Sequence, residues 1–405
     1  MNPTITSFWN YQEAFSRNLG LINLAEKGAQ CSRPHDPMPR AIAIERILDM
    51  ARWTPSGDNS QPWQFEIVEE NKILLHIAIP SLDKDIMSIR DGEPTLLITG
   101  MMLETLTIAA GKEGKTLSWK HLAQEKSGGE NQHRFEITFQ GSNNSVTDSL
   151  YDYIPLRYTN RKHYRVTPLT DMQKRALEAA LGDKLTLRWH SGWGERWRVA
   201  KLNMQAFLIR MKSRIAYEQL RERIDWQYPF STDKLPLHTL PMTMPSRHIM
   251  RWAMGSWRRL RALGKIPGAI LLSAIEIELL PALLCGNHFI LRRKNAHSLE
   301  NRVAATIAEG RALMRFWLTI TKLGLTMQPS YSPIAFAEHG SHPDNMPRED
   351  WHLAPECQSM AKKLEAISGC ELERLVFMGR IGTPRTSAVA SRSLRKPLDE
   401  LWRNN

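Results

Sequence analysis

Ahead of Phe65 the chain concentrates side chains able to hold a polar, planar ligand, in the stretch Thr54-Pro55-Ser56-Gly57-Asp58-Asn59-Ser60-Gln61-Pro62-Trp63. Pro55, Gly57 and Asp58 punctuate the backbone, while Ser56, Asn59 and Gln61 offer donors and acceptors together. A ring edge that carries carbonyls and ring nitrogens needs both. Trp63 adds apolar area beside them. The plainer reading of the same residues is an ordinary helix-to-strand loop. Other constellations fail. Gly111-Lys112-Glu113-Gly114-Lys115-Thr116 ends like a phosphate-binding loop, yet Ala109 stands where the first glycine is required. His190, His238, His248, His288 and His297 have no metal-ligand spacing, so no metal is expected.

The string PSGDNSQPWQF resembles the P-S-x-x-N-x-Q-P-W segment of the nitroreductase superfamily, whose members are flavin-dependent oxidoreductases. The resemblance implies a second element, R-x-[ST]-x-R/K, that holds flavin mononucleotide (FMN). It is present as Arg157-Tyr158-Thr159-Asn160-Arg161, but it follows Trp63 by 94 residues, whereas in single-domain members it comes before the loop. Family members are typically homodimers with flavin at the subunit interface, the arginine string from one subunit and the loop from the other. Upstream, Cys31-Ser32-Arg33-Pro34-His35 lacks the arginine string, and Thr186 to Gly194 lacks the loop. The resemblance therefore implies two fused nitroreductase-like lobes, a pseudo-dimer laid out like the Acg-like branch, with one flavin per chain. By the same resemblance Arg161 stabilises the reduced ring, and Arg157, Thr159 and Arg395 hold the ribityl chain and phosphate. Ser56 and Asn59 bond the pyrimidine edge, and Pro55 and Gly57 shape the wall. Gln61 is included among the cofactor positions, although fixing the loop is the plainer role it shares with Trp63. A surface ion pair is the plainer role for Arg157 and Arg161, and solvation for Arg395. Tyr158 and His163 are read as non-catalytic.

The elements that must position these groups follow from periodicity. Ile44, Ile47, Leu48 and Ala51 mark a helix over 41–52 that delivers the chain to the loop. Phe65 to Ile79 predicts a hairpin around Glu70-Asn71-Lys72. Pro94 to Ala110 is apolar on nearly all sides and predicts a buried helix, and Phe135, Ile137 and Phe139 mark a further strand. The polar run Gly141 to Ser145 divides the lobes, giving 1–145 and 146–405. In the second lobe Thr170 with Gln173 opens a helix closed by Gly182, and Leu185, Leu187 and Trp189 alternate as a strand. Trp197 to Leu220 reads as one helix and Asp225 to Arg247 as a proline-rich excursion, too irregular for core. That excursion lies in an insertion over about 195–290 that reads either as a lid or as a passive surface. Val303 to Leu323 predicts a helix, Leu325 to Pro329 resembles a family turn, and Leu375 to Gly382 its closing strand. The expected fold class is α+β, each lobe an antiparallel sheet packed with helices and the flavin site between them.

With 405 residues, 42% hydrophobic and 24% charged, the composition is that of a soluble globular chain. No apolar run follows the N-terminus, so the expected location is cytoplasmic. Cysteines at 31, 285, 357 and 370 read as free thiols. The net charge of +12 gathers at Arg247–Lys265, interleaved with tryptophan, and in the tail from Arg380 to Arg403. No nucleic-acid motif accompanies it. A membrane surface is a second reading of the basic, tryptophan-rich segment, with packing on the second lobe preferred. The functional expectation is an FMN-dependent oxidoreductase that passes hydride through flavin N5 to or from an unidentified small molecule or peptide, with NAD(P)H as one candidate donor, as monomer or homodimer. A flavin-storing protein without turnover, and a cofactor-free scaffold with a basic partner-binding face, are the alternatives.

Overall fold

The computed structural model describes residues 41–127, 130–142, 147–296, 301–386 and 389–403. Cys31 to His35 and the divider residues Asn143 to Ser145 lie outside the described residues.

Helix α1 (Ala41–Ala51) sets Ile44, Ile47, Leu48 and Ala51 in the core, as their spacing requires. Strands β1 (Trp63–Glu69) and β2 (Lys72–Ile79) form the expected hairpin, with Phe65 opposite Leu75. Helix α2 (Glu93–Lys112) follows, then β3 (Lys115–Ser127) and β4 (Glu130–Gly141). In the second half, α3 (Asp171–Ala180) leads to β5 (Leu185–His190). A long excursion then carries α4 (Trp193–Lys212), α5 (Arg214–Arg223), α6 (Met244–Ala253) and α7 (Trp257–Gly264), and a helical run over Ala269–Leu283. The chain returns through β6 (Asn287–Arg293), α8 (Arg302–Lys322), β7 (Thr326–Pro329), α9 (Ser332–Ser341), α10 (Ala354–Ser368) and β8 (Leu375–Gly382).

The fold is α+β with two four-stranded antiparallel sheets, in the orders β1-β2-β4-β3 and β5-β6-β8-β7. In each half a helix precedes the first strand, a long helix joins the second strand to the third, and the strands lie in the order first, second, fourth, third. The two long helices cross where Gly100 meets Gly310. A Cβ on Gly310 would stand 2.2 Å from the Leu97 carbonyl oxygen and 2.9 Å from the Gly100 Cα, so only glycine permits this approach. The halves differ in what covers them. One face of the first sheet packs on the core and the other meets solvent, giving the alternation of β1. The second sheet is covered on both faces, with Phe289, Leu291 and Phe377 on one side and Ile290, Leu375 and Met378 on the other.

Several expectations need correction. The helix read over Trp197 to Leu220 breaks at Ser213, whose hydroxyl accepts from the Ala216 amide and donates to Asp350. Leu325 to Pro329 is a strand edge rather than a turn, because β7 pairs with β8. The excursion over Asp225 to Arg247 builds core of its own, burying Leu235, Leu237 and Met242. The tail does not stay with the second half, for Trp402 bridges to Phe65 and the Arg403 amide donates to the Phe65 carbonyl at 2.8 Å.

Thr170 accepts from the Gln173 amide at 3.2 Å while the Gln173 side chain accepts from the Thr170 amide at 3.0 Å, a reciprocal cap on α3. Thr170→Ala is expected to lower stability by about 1 kcal/mol, read from chemical denaturation.

Candidate functional site

The loop after α1 is built from unusual backbone. Asp58, Asn59 and Gln61 all have positive φ, at 47°, 65° and 47°. Side chains other than glycine rarely adopt this region, and such strain persists only where surroundings impose it. The surroundings are the tail and the insertion. The Arg395 guanidinium donates to the Thr54 carbonyl at 3.0 Å and to Asn59 Oδ1 at 2.8 Å. Asn59 Nδ2 donates to the Thr232 and Lys234 carbonyls at 3.1 and 3.3 Å. Gln61 Nε2 donates to the Thr232 carbonyl at 2.9 Å, and Gln61 Oε1 accepts from the Lys396 amide at 3.0 Å.

The arginine string is fixed against the second sheet. Thr159 bridges to Met327, the Asn160 amide donates to the Met327 carbonyl at 3.1 Å, and buried Arg380 donates to the Arg161 and Lys162 carbonyls, both at 2.8 Å. Arg380 also lies over the Tyr164 ring, 4.1 Å from its centroid, and donates to Gln328 at 2.7 Å. It is a positioning residue that sets the string without facing the ligand space.

These two elements, far apart in sequence, meet across two adjoining cavities of one chain. The smaller, about 40 Å³, is lined by Pro55, Ser56, Asn59, Arg157, Thr159, Arg161, Arg392 and Arg395, with Leu235 and Thr239 of the insertion, and has no carboxylate in its lining. The larger, about 860 Å³, shares Pro55, Ser56, Thr159, Arg161 and Leu235 with it. It adds Gly57, Asp58, Arg210 and Glu278, and an apolar wall that includes Met101, Phe207, Met250, Met254 and Phe377. Its size is that of a pocket for a small molecule or cofactor. Gln61 lines neither cavity; its amide ties loop, insertion and tail together. Asn59 lines only the smaller one, with both amide atoms already bonded to protein.

The electrostatics separate the two spaces. Arg157 and Arg395 are 3% and 7% exposed. Burial, with repulsion from Arg395 and Arg392, pushes the Arg157 guanidinium well below its ordinary value. Burial, with repulsion from Arg392 and Arg52, pushes Arg395 down to about 9. Arg157 donates to the Trp53 carbonyl at 3.1 Å and stacks on Trp317 at 4.6 Å, but its Nε has no hydrogen-bond partner. A buried cation without a counter-charge costs several kcal/mol, about what an anion would restore. In the larger cavity, burial raises Asp58, but Arg210, Arg223 and Arg161 outweigh it and hold the carboxylate below its usual range. Arg210 reaches Asp58 at 3.2 Å. Arg161 is lowered by burial, an effect that Asp58 and Glu278 partly offset.

Glu278 sits on a π-helical turn, Ile275–Leu279, at the cavity wall. Such turns recur at functional sites. Burial raises its carboxyl to about 7, against the pull of Arg380, Arg210 and Arg161. Its folded value lies above the unfolded value of about 4.3, so stability falls as pH rises from about 4.3 through about 7. Glu278→Gln is expected to flatten that slope in thermal melts, whereas an unchanged slope would place the proton elsewhere. The available signal for Glu278 was a carboxylate inside the most apolar stretch of the chain. Asp58 stood in the loop and Arg392 beside Arg395 in the basic tail, whereas Arg210 carried no comparable mark. His163 lines neither cavity.

No family model and no curated protein matches the sequence. Among solved structures, the FMN-dependent nitroreductase NfnB from Mycobacterium smegmatis, in complex with NADPH, overlaps 62% of this chain and 96% of its own, at 18% identity and a TM-score of 0.34. A nitroreductase-like family protein from Bacillus cereus overlaps 64% and 97%, at 11% identity and 0.33. An FMN and NADPH-dependent NfnB from sphigopyxis sp. strain HMH overlaps 64% and 100%, at 17% identity and 0.33. Overlap at these scores does not establish membership.

Proposed function

We propose that this chain is an FMN-dependent oxidoreductase of the nitroreductase type in which one polypeptide supplies both walls of the flavin site. The observation that carries the reading is the meeting of the P-S-x-x-N loop and the R-x-T-x-R string across joined cavities, one rich in buried arginine and the other wide and largely apolar. The group fits. Arg157, Arg392 and Arg395 would hold the phosphate, and the unpartnered Arg157 Nε gives it a donor. Pro55, Ser56 and Gly57 would border the ring; a Cβ added at Gly57 meets nothing within 4 Å, so the backbone there is open to a planar neighbour.

When bound, flavin supplies a hydride acceptor and donor at N5. The chain's own residues do the rest. Arg161 would supply positive charge to the edge of a bound ring that gathers negative charge. Asp58 and Arg210 would orient polar substituents of a bound group in the larger cavity, and Glu278 would hold a proton at its wall near neutral pH. The repeated strand order and the Gly100–Gly310 crossing support a fused pseudo-dimer.

Purified protein is expected to be yellow, or to become so with added FMN, and to bleach anaerobically with NADH or NADPH. A yellow protein that neither nucleotide bleaches would point to storage. A colourless protein that takes up no FMN would overturn the reading.

A further inference from the structure

We propose that the outer surface of α6, α7 and the helical run Ala269–Leu283 docks on an anionic lipid bilayer. Two independent features meet there. The first is apolar exposure on helices that bury their opposite faces. Ser246, Met250 and Ala253 of α6 face inward, while Ile249 and Trp252 are 48% and 50% exposed. Ile266, Leu271, Leu272 and Leu284 are likewise exposed, at 57%, 42%, 53% and 39%. Helix α2 is as apolar as these segments, but most of it is buried between the two halves. Together α7 and Ala269–Leu283 are apolar enough to suit a membrane, yet they bend by 97° at the Ile266-Pro267-Gly268 corner. That geometry suits lying in an interface rather than crossing it.

The second feature is charge. No Asp or Glu stands between Asp233 and Glu276, while Arg251, Arg258, Arg259, Arg261 and Lys265 are all exposed. Arg259 lies over the Trp252 ring, 5.6 Å from its centroid, pairing a cation with an indole as interfacial anchors do. Nucleic acid is disfavoured because Ile266, Leu271 and Leu272 offer a phosphate backbone nothing. A second copy is disfavoured because the patch would meet its own positive charge. The inner faces of the same helices line the large cavity through Met250, Met254 and Ile277, so docking would bring that cavity beneath the lipid.

The test is co-sedimentation of the full chain with vesicles of phosphatidylcholine alone and of phosphatidylcholine mixed with phosphatidylglycerol. Binding is expected on the anionic vesicles, weakening with salt. The triple substitution Arg258→Ala, Arg261→Ala, Lys265→Ala is expected to weaken it about 100-fold. The pair Leu271→Ser, Leu272→Ser should weaken it with an unchanged melting temperature, since both side chains are already exposed. Absence of binding, equal binding to both vesicles, or binding undiminished in the triple variant would overturn the proposal. So would self-association or oligonucleotide binding without vesicle binding. Binding is read without reference to flavin content, so this inference and the flavin reading fail separately.

Discussion

Arg157→Ala combined with Arg161→Ala is expected to leave a folded protein that no longer retains FMN. Arg157 has no acidic partner within its small cavity, so its removal takes away an uncompensated buried charge rather than half of an ion pair. The folded state gives up with it one hydrogen bond to the Trp53 carbonyl and the stack on Trp317. Arg161 makes its backbone bonds through Arg380, which alanine preserves. The ligand, by contrast, would be deprived of two charge-assisted hydrogen bonds worth about 1.5–3 kcal/mol each, a fall in affinity of roughly 100-fold or more. FMN fluorescence titration reads the affinity and circular dichroism reads the fold. Retention of flavin by the double variant would remove the arginine string from the site.

Arg293→Ala is expected to cost about 3–5 kcal/mol in stability. Arg293 is buried between carboxylates from both long helices, reaching Glu93 of α2 at 2.7 Å and Glu309 of α8 at 3.2 Å. Arg90 extends the network from Glu93 to Glu338, at 3.3 and 2.8 Å. Alanine would leave two buried carboxylates facing each other across the seam between the halves. The pH dependence carries a sign. Burial raises the Glu93 carboxyl, but Arg293 and Arg90 outweigh it and hold it below the usual carboxylate range. Its contribution is therefore present above the unfolded value of about 4.3 and lost as pH falls through the lower folded value. Without Arg293 only Arg90 and Arg302 still hold Glu93 down, so that advantage shrinks and the gap between variant and wild type should narrow in acid. Arg293→Lys should recover only part of the loss, since one ammonium cannot fork between two carboxylates. Urea denaturation at neutral and acid pH measures both effects.

How much of this was legible in the chain depends on whether a residue's partners are near it in sequence. The β1–β2 hairpin, the capped helix α3 and the buried α2 follow from local spacing and turn chemistry. Strand β3 was missed because it is an edge strand with one face in solvent, and its polar run from Lys120 to Ser127 hides the two-residue alternation. Strand β7 has four residues ending in proline, and only its pairing with β8 makes it a strand. The break at Ser213 depends on Asp350, more than a hundred residues away. At the site, the loop and the arginine string stood out as short motifs. The assignment of the Asn59 and Gln61 amides to Thr232, Lys234, Arg395 and Lys396 depends on insertion and tail folding back onto the loop, which no local pattern encodes.

Equilibrium titration of the purified chain with FMN, beside riboflavin, with the oligomeric state measured by light scattering in the same samples, addresses the shared-wall site most directly. Saturation at one FMN per chain in a monomer, with riboflavin held far more weakly for want of the phosphate, is the expected result. Uptake of one FMN for every two chains, or equal affinity for riboflavin, would contradict it.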